Sequence, residues 1–566
     1  MSDRPVGPVE TEPDQHDNGQ HESGHADGAD LREPGLSMHH SRSVTVAQVS
    51  AAVVAILVAV AALSSVFRGW VPVYDNALLE LRVRDVPSHL PLLGAWSRFG
   101  WSHPGPAHFY FLSVVYWLGA RRSEALLVGA ITMHLMFGFI AWWTVRRISA
   151  TAGAFMALGV LVIVVTTTPT VMRDPWNPYV TLVGGMALCG AAWSFAERHR
   201  EGALTLLPVG TFLAQAHIVT GPFVVAVTAA AIVCLLTGRH RQIPWRAIVA
   251  GAGITLAMWL PPIVQQLTND PGNITLILEK SGSGAKLGPL VAIRVMSRAL
   301  GLWPDVFTPA AMSVDDMSTL KWFLPVWGLV FCGVAVLVAR RRKWDLFRGF
   351  VIAAAALVGT TMSIAMISGS PHNYLALSRI PTVAFMVVVS VVAISEERRW
   401  PVPKTQNMAY GACVVLALLA VFQQLGAQNP RQDARPTVEA FVAAVQRADV
   451  PAEVGVELTS THVFAGEIYF ALLNTMEKDG FQPNAESLKA IHVGAHRKER
   501  PVRYMLRLAP LESEGGLIDD GWTVIAEHQP FSAGEVARIR SADNDRDADL
   551  IRRGRTGLVL VGRPVD

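Results

Sequence analysis

Charge is scarce in this sequence: Asp, Glu, Lys and Arg make up 16% of its 566 residues, while 51% are hydrophobic. A soluble chain carries about 25% charged residues, so the composition excludes an ordinary globular protein and points to one embedded in a membrane. Cysteine is rare as well. Cys189, Cys234, Cys332 and Cys413 all fall inside apolar runs, which excludes a disulfide framework or thiolate metal centre and leaves small core residues. The formal net charge of +3 is too small to favour nucleic acid as a partner. Asp, Glu and Lys are essentially missing from the apolar runs themselves, which argues against a proton or ion relay through the bilayer. No cleavable signal peptide is expected, because the first apolar run starts late, runs long and lacks a small-residue cleavage site near its end.

What is present falls into three regions. Residues 1–45 have almost nothing apolar to bury and read as a disordered cytoplasmic tail. Their histidines (His16, His21, His25, His39 and His40) keep no helical or finger spacing for a metal. Apolar runs long enough to span then follow near 47–67, 124–144, 152–168, 179–196, 203–216, 220–237, 247–264, 321–339, 349–368, 380–395 and 408–425. The expected fold is an all-α polytopic membrane domain over 46–425, with about eleven transmembrane helices plus interfacial helices. A small α/β extracytoplasmic domain is expected over 426–566. In it, 437–448 and 463–480 have helical periodicity, and 533–554 adds a further helical stretch. Segments 453–459, 502–509, 522–528 and 557–562 read as strands. That domain shows no nucleophile elbow, phosphate-binding glycine loop or metal cluster.

Direction comes from arginine. "VRRIS" (145–149), "ERHRE" (197–201), "GRHRQIPWR" (238–246), "RRRKWDLFR" (340–348) and "EERRW" (396–400) are short basic connectors, which the positive-inside rule assigns to the cytoplasm. Segment 104–119 settles the parity. If it spanned, the N-terminus would lie outside. Its Tyr110, Tyr116 and Trp117 suit an interfacial helix instead, which keeps the N-terminus cytoplasmic and makes 68–123 one long outer loop. The conspicuous polar residues beside the membrane then gather on one face, the outer one.

"DNALLELRVRD" (75–85) opens that face. As a helix it would put Asp75 and Arg82 on one side, with Glu80 well round the cylinder near Asn76 and Arg84, so Asp75 and Glu80 are not a close carboxylate dyad. A lone carboxylate beside a cation suits taking a proton from a sugar hydroxyl while arginine steadies a departing phosphate. The same residues, Asp85 included, would also serve a solvated helix resting on lipid. His103, in "WSHPGPAHF", is a proton donor, a phosphate ligand or part of a turn. In "RDPWNP", Asn177 caps a helix beginning at Pro178, which leaves Arg173 and Asp174 as site candidates. His217 is either a site group or a satisfied buried histidine. Gln265, Gln266 and Asn273 offer uncharged hydrogen bonds to sugar hydroxyls, or ordinary loop polarity. Trp96, Trp101 and Trp176 stack on sugar faces or anchor at the interface, and Arg379 binds lipid phosphate or snorkels.

The order of these parts resembles the GT-C superfamily of multi-spanning glycosyltransferases. A first span is followed by a long outer loop opening with an acidic motif, "VYDNALLELRVRD". Next come a proline-led interfacial segment, "HPGPAHFYFLSVVYWLGA", and a span ending in "RR". The likeness is greatest to the branch of protein mannosyltransferases and lipid A aminoarabinose transferases, and it covers roughly residues 45–425. It implies that Asp75 stands at the catalytic aspartate; Asn76 occupies the place where a glutamate is usual. It further implies inverting transfer from a polyprenyl-phosphate sugar donor to a cell-envelope glycan, glycolipid or protein acceptor at the outer face of the plasma membrane. A divalent cation, magnesium or manganese, would suit the same leaving group. Abundant Ala, Val, Arg and Gly with few Lys is the usage of a GC-rich, actinobacterial type of genome, where decaprenyl-phosphate arabinose and mannose are among the lipid donors. The rival is non-enzymatic: a lipid-linked-saccharide transporter or an envelope-assembly scaffold. A transporter calls for polar lining at mid-bilayer and internal repeats, and neither is visible.

Overall fold

The computed structural model describes residues 68–238, 242–281, 284–312, 316–398, 401–459, 463–485, 492–529, 532–541 and 557–565, with positions 57, 60 and 64 before them. The N-terminal tail, its histidines and nearly all of the expected first span lie outside the described residues.

Every apolar run expected from 124 onward contains a helix, the one at 321–339 only from Val326 on. Among the described residues, seven helical stretches are long and apolar enough to cross a membrane: Glu124–Val145, Asn177–Ala196, Ile218–Thr237, Trp245–Thr268, Trp344–Ala365, Asn373–Glu397 and Val402–Gly426. Ala107–Leu118, Ala150–Thr166 and Val326–Arg340 are shorter apolar helices. Arg200–Ala216 carries Pro208 in its interior and is also short. The protein is a multi-pass membrane protein in which Asn177–Ala196 is central, since its apolar window is wholly buried whereas that of Trp245–Thr268 is only 11% buried. Small residues permit this. A Cβ on Gly184 would meet the Leu213 side chain at 2.6 Å and one on Gly185 would meet the Pro381 ring at 2.5 Å, so side chains of neighbouring helices pack directly onto the glycine backbone. The outer ring of helices keeps apolar side chains such as Val249, Leu256, Leu267, Val415 and Phe422 exposed, as a lipid-facing surface requires.

The basic connectors converge at one end of the bundle. Arg147 pairs with Glu201 (2.8 Å), Arg348 with Glu197 (2.7 Å) and Lys343 with Glu397 (3.3 Å). Arg198 also donates to the Gly238 carbonyl. Connectors far apart in sequence therefore share a face.

The C-terminal region folds into a five-stranded mixed sheet in the order β4-β3-β5-β7-β6. Its strands are β3 (Val454–Leu458), β4 (Asn484–Ala485), β5 (Tyr504–Pro510), β6 (Thr523–His528) and β7 (Leu558–Pro564). β3 runs parallel to β4 and β5, while β7 is antiparallel to both β5 and β6. Helices Arg435–Arg447 and Val463–Lys478 bury Val438, Phe441, Val445, Ile468 and Leu472 against Leu506, Leu508 and Leu560 of the sheet. The sequence assigns these helices and β3, β5, β6 and β7 to within a few residues. Of the helical stretch expected at 533–554, Ala533–Ser541 is a helix and 542–554 lies outside the described residues.

The motif at 75–85 is a helix, Asp75–Asp85, and it is not a solvated one. Val73, Ala77 and Leu81, spaced by four, belong to the core of the C-terminal sheet domain. Leu79 and Val83 turn the other way, onto Phe109, Leu112 and Tyr116 of the Ala107–Leu118 helix and Leu126 and Leu127 of the next span. The motif helix is thus wedged between membrane bundle and C-terminal domain, with both faces buried. The alternative of a helix lying free on lipid is excluded.

Candidate functional site

The start of the motif helix is backbone-strained. Tyr74 has φ 49° and ψ −123°, a conformation side-chain-bearing residues rarely adopt. Its N–H donates to the Glu467 carbonyl at 3.3 Å, so the C-terminal domain holds it there. Asp75 follows in the first helical turn, where unsatisfied N–H groups favour negative charge.

The loop between Ala150–Thr166 and Asn177–Ala196 supplies the other half of the site. Arg173, fully buried, donates from Nε to Gln424 Oε1 (2.9 Å) and from Nη1 to Asn429 Oδ1 (3.3 Å). It fastens the loop to the end of the last span and has no donor to spare in that strap for a substrate phosphate. Asp174 Oδ1 accepts from Asn76 Nδ2 (3.0 Å) and from the Trp176 backbone N–H (3.0 Å). Trp176 Nε1 in turn donates to Asp75 Oδ2 at 2.7 Å. Asn177 Nδ2 donates to the Ala216 carbonyl (2.7 Å), a tie between loops rather than a side-chain helix cap. "RDPWN" therefore brings Asp174 and Trp176 to Asp75 and Asn76, across a separation of about a hundred residues in the chain.

Both carboxyl groups are half-buried. Burial pushes Asp75 up to about 6, with the Trp176 hydrogen bond acting in the opposite direction. Burial likewise pushes Asp174 up to about 6, opposed by the Asn76 and Trp176 donors and reinforced by the charge of Asp75. Burial, then Asp75 and Glu467, hold the Tyr74 hydroxyl up at about 12, so it remains an O–H donor at neutral pH. The Tyr374 ring lies 4.8 Å from that of Trp176. Arg98, at the turn between β1 (Trp96–Ser97) and β2 (Trp101–Ser102), is exposed, donates to the Ser370 carbonyl (2.7 Å) and acts electrostatically on Tyr74 and Tyr374. Arg431, paired with Glu467, acts on Asp174. Tyr74, Arg98, Tyr374 and Arg431 escaped the sequence reading. The aromatic "WSRFGW" run ahead of a turn was the one available signal for Arg98.

Other expected site residues are engaged elsewhere. The rings of His103 and His217 sit 5.1 Å apart, and His103 Nδ1 accepts from the Ile218 N–H (3.3 Å). Burial lowers both, His217 to about 4, so both are neutral at pH 7 and form a packed pair. Asn273 donates to and accepts from the Ser102 backbone (2.9 Å each), and Gln265 Oε1 accepts from the Asn273 N–H (3.0 Å). These amides knot the β1–β2 hairpin to the bundle. Arg379 is buried at the start of its helix and donates from Nη2 to the Ala311 carbonyl (3.2 Å) and Asn373 Oδ1 (3.3 Å). Among the described residues, its Nε and Nη1 have no hydrogen-bond partner.

Glu80, Arg82, Arg84 and Asp85 form an interdomain clamp. Glu80, with no exposed surface, accepts from Tyr116 (3.0 Å), Ser123 (2.9 Å) and Asn474 (2.7 Å), and pairs with Lys478 (3.2 Å). Asp85 is gripped at both oxygens by Arg497 (2.8 and 3.0 Å) and by Arg82 (2.9 Å). Glu477 accepts from Arg84, Arg497 and Arg500, each at 2.8 Å, which holds its carboxyl far below the usual range despite burial. The carboxylate of Asp85 comes within 4.8 Å of the ring nitrogens of His89 and His496, but two guanidiniums already neutralise it, so a cation would meet net repulsion there.

Taken together, the fold is a multi-span helical bundle with a motif helix and hairpin at one end and a C-terminal α/β domain packed against them. This fold is similar to that of ArnT. Apo ArnT from Cupriavidus metallidurans superposes with a TM-score of 0.50 at 12% identity, covering 86% of this chain and 96% of that one. ArnT from the same organism bound to undecaprenyl phosphate gives 0.48 at 12% identity, covering 87% and 96%. No family model and no curated protein matches the sequence.

Proposed function

We propose that this protein is an inverting glycosyltransferase of the outer membrane face, taking its sugar from a polyprenyl-phosphate donor and passing it to a cell-envelope acceptor. The observation that carries the proposal is the Asp75–Trp176 hydrogen bond (2.7 Å) beside Asp174 and Asn76. It places a carboxylate with a pKa near neutrality on a fixed indole donor, at the end of the bundle away from the basic connectors. A general base works best with a pKa near the working pH, and a buried carboxylate raised to about 6 is both charged and basic at pH 7. In the reaction, an acceptor hydroxyl oxygen attacks the anomeric carbon as its proton passes to Asp75. The bond from that carbon to the phosphate oxygen breaks, and the electron pair leaves with polyprenyl phosphate. Arg98, exposed beside the site, and Arg379, buried with spare donors among the described residues, are the cations for the leaving phosphate in this reading. Arg82 and Arg173 are not, being committed to the clamp and the loop strap.

A divalent cation fits the residues present. Among the described residues, the buried Asn76 Oδ1 has no partner. With Asp174 it offers the hard oxygen donors that magnesium or manganese takes. Such a cation would supply charge neutralisation on the departing phosphate. The proposal further assigns the plasma membrane as location, a first span at 47–67, a cytoplasmic N-terminus and an extracytoplasmic C-terminal domain over 426–566. The test is transfer by the purified protein in lipid, offered a panel of polyprenyl-phosphate sugars. Asp75→Asn should abolish turnover while leaving expression and thermal unfolding unchanged; turnover at the wild-type rate would overturn the assignment. A transporter or scaffold would show no transfer with any donor.

A further inference from the structure

At the connector end of the bundle, three connectors close round a cavity of about 420 Å³ lined by Arg147, Arg198, His199, Arg200, Glu201 and Pro244. Two helices begin at its rim. Arg200–Ala216 starts after His199 and Trp245–Thr268 after Pro244, and neither of these two residues caps its helix with a side chain. The positive ends of two helix dipoles therefore meet at the cavity, where first-turn N–H groups favour an anion. Gly251 lets the two helices touch backbone to backbone, since a Cβ there would meet the Leu204 carbonyl at 2.8 Å. Three guanidiniums share the wall with one carboxylate. Arg147 and Arg200 both reach Glu201 through Nε (2.8 and 3.3 Å), although their side chains are 42% and 76% exposed. A guanidinium has five N–H donors, so such a contact leaves most of each fork for a second anion. Arg198 donates to the Leu235 carbonyl (2.9 Å) and to the Gly238 carbonyl, which fixes its charge in the wall.

We propose that this cavity binds the phosphate headgroup of an anionic phospholipid. The site is independent of the transferase reading and lies at the other end of the bundle from Asp75. Phosphate suits the wall, because arginine forks and helix starts both recognise its oxygens. The adjoining helix selects a lipid over a free phosphate. Trp245, Val249, Leu256 and Leu260 are all exposed, and their spacing of four, seven and four residues sets them on one face. That face begins one residue after Pro244 in the cavity wall, on a helix whose apolar window is only 11% buried. Tryptophan marks the headgroup level, and Trp142, with Arg146 4.2 Å over its ring, lies at the end of the neighbouring span. A phosphate seated on the arginines thus has apolar surface beside it for its own acyl chains. Basic pockets between spanning helices suit anionic headgroups for this reason.

The experiment measures equilibrium binding of radiolabelled dioleoylphosphatidylglycerol to the full-length protein in dodecyl maltoside micelles. Unlabelled phosphatidylglycerol, phosphatidylcholine and inorganic phosphate are the competitors. Labelled lipid should bind saturably, phosphatidylcholine should compete at least about tenfold more weakly than phosphatidylglycerol, and millimolar inorganic phosphate should not displace it. Arg147→Gln and Arg200→Gln should each weaken binding by about fivefold, the worth of one arginine beside an anionic headgroup. Glu201→Gln, which removes the carboxylate from the wall, should tighten binding by about threefold, a gain that a folding defect cannot produce. Arg341→Gln, an exposed arginine at the same end but outside the cavity, should bind like wild type. Unfolding midpoints verify that each variant is folded, and Arg200→Gln and Glu201→Gln carry the test if Arg147→Gln is not. The proposal is overturned if phosphatidylcholine competes as well as phosphatidylglycerol, if inorganic phosphate displaces the lipid, or if folded Arg200→Gln and Glu201→Gln bind like wild type. Equal weakening by Arg341→Gln would also overturn it, because a diffuse basic surface would then account for the binding.

Discussion

A carboxylate poised at about 6 makes the rate depend on pH in a definite direction. Asp75 must be charged to accept a proton, so transfer should rise as pH climbs through about 6 and level off above it. The Trp176 indole stabilises the charged form, so Trp176→Phe should move the acid limb of the pH–rate profile upward by about one unit, a hydrogen bond to a charged group being worth roughly 1.5–3 kcal/mol. An unmoved limb with merely lower rates would show that Trp176 acts only by packing against Tyr179 and Tyr374. Asp174 predicts differently. Its Oδ1 orients Asn76 and the Trp176 backbone, so Asp174→Asn should lower the rate while leaving a base in place, and with a neighbouring negative charge removed residual transfer should keep an acid limb at or below the wild-type position.

The motif helix shows which part of a sequence signal is local and which is not. Asp75, Glu80, Arg82, Arg84 and Asp85 are alike as charges beside a membrane span, and helical spacing separates Asp75 from Glu80 by face. It does not reveal that Asn474, Glu477, Lys478 and Arg497 wait some four hundred residues downstream. These partners turn the back of the helix into a clamp and leave its first turn, with Asp75, outside it. Because Arg497 is buried against two carboxylates, Arg497→Ala should cost about 3–5 kcal/mol of C-terminal domain stability. Limited proteolysis should then cut near 426–434 far faster than in wild type; unchanged protection would mean the apolar core alone holds the domain. Spans, connectors and most strands were legible because length, hydropathy and alternation are local properties. Asp75, Asp174 and Trp176 were legible as candidates, and their convergence was not, since it rests on loop geometry. His103, His217, Gln265 and Asn273 carried the same polar signal and turn out to brace the hairpin. Arg98 and Tyr374 gave too little local signal to be singled out.

At the scale of the whole molecule, two sets of groups are segregated to opposite ends of one bundle. Ion pairs link connectors at 147, 197–201, 343–348 and 397 at one end, and the motif helix, the 173–177 loop and the C-terminal domain lock together at the other. The arginine excess at the first end fixes which side faces the cytoplasm if insertion follows the positive-inside rule. In a background with the native cysteines replaced by alanine, His89→Cys and Lys498→Cys, both at exposed positions of the site end, should react with a membrane-impermeant maleimide on intact cells. Arg341→Cys, exposed at the connector end, should react only after permeabilisation. The inverse pattern would turn the molecule over and put its base in the cytoplasm, where an envelope acceptor would be out of reach. Labelling of positions 89 and 341 from the same side would be worse for the proposal, because it would break the segregation on which an outward-facing transfer site depends.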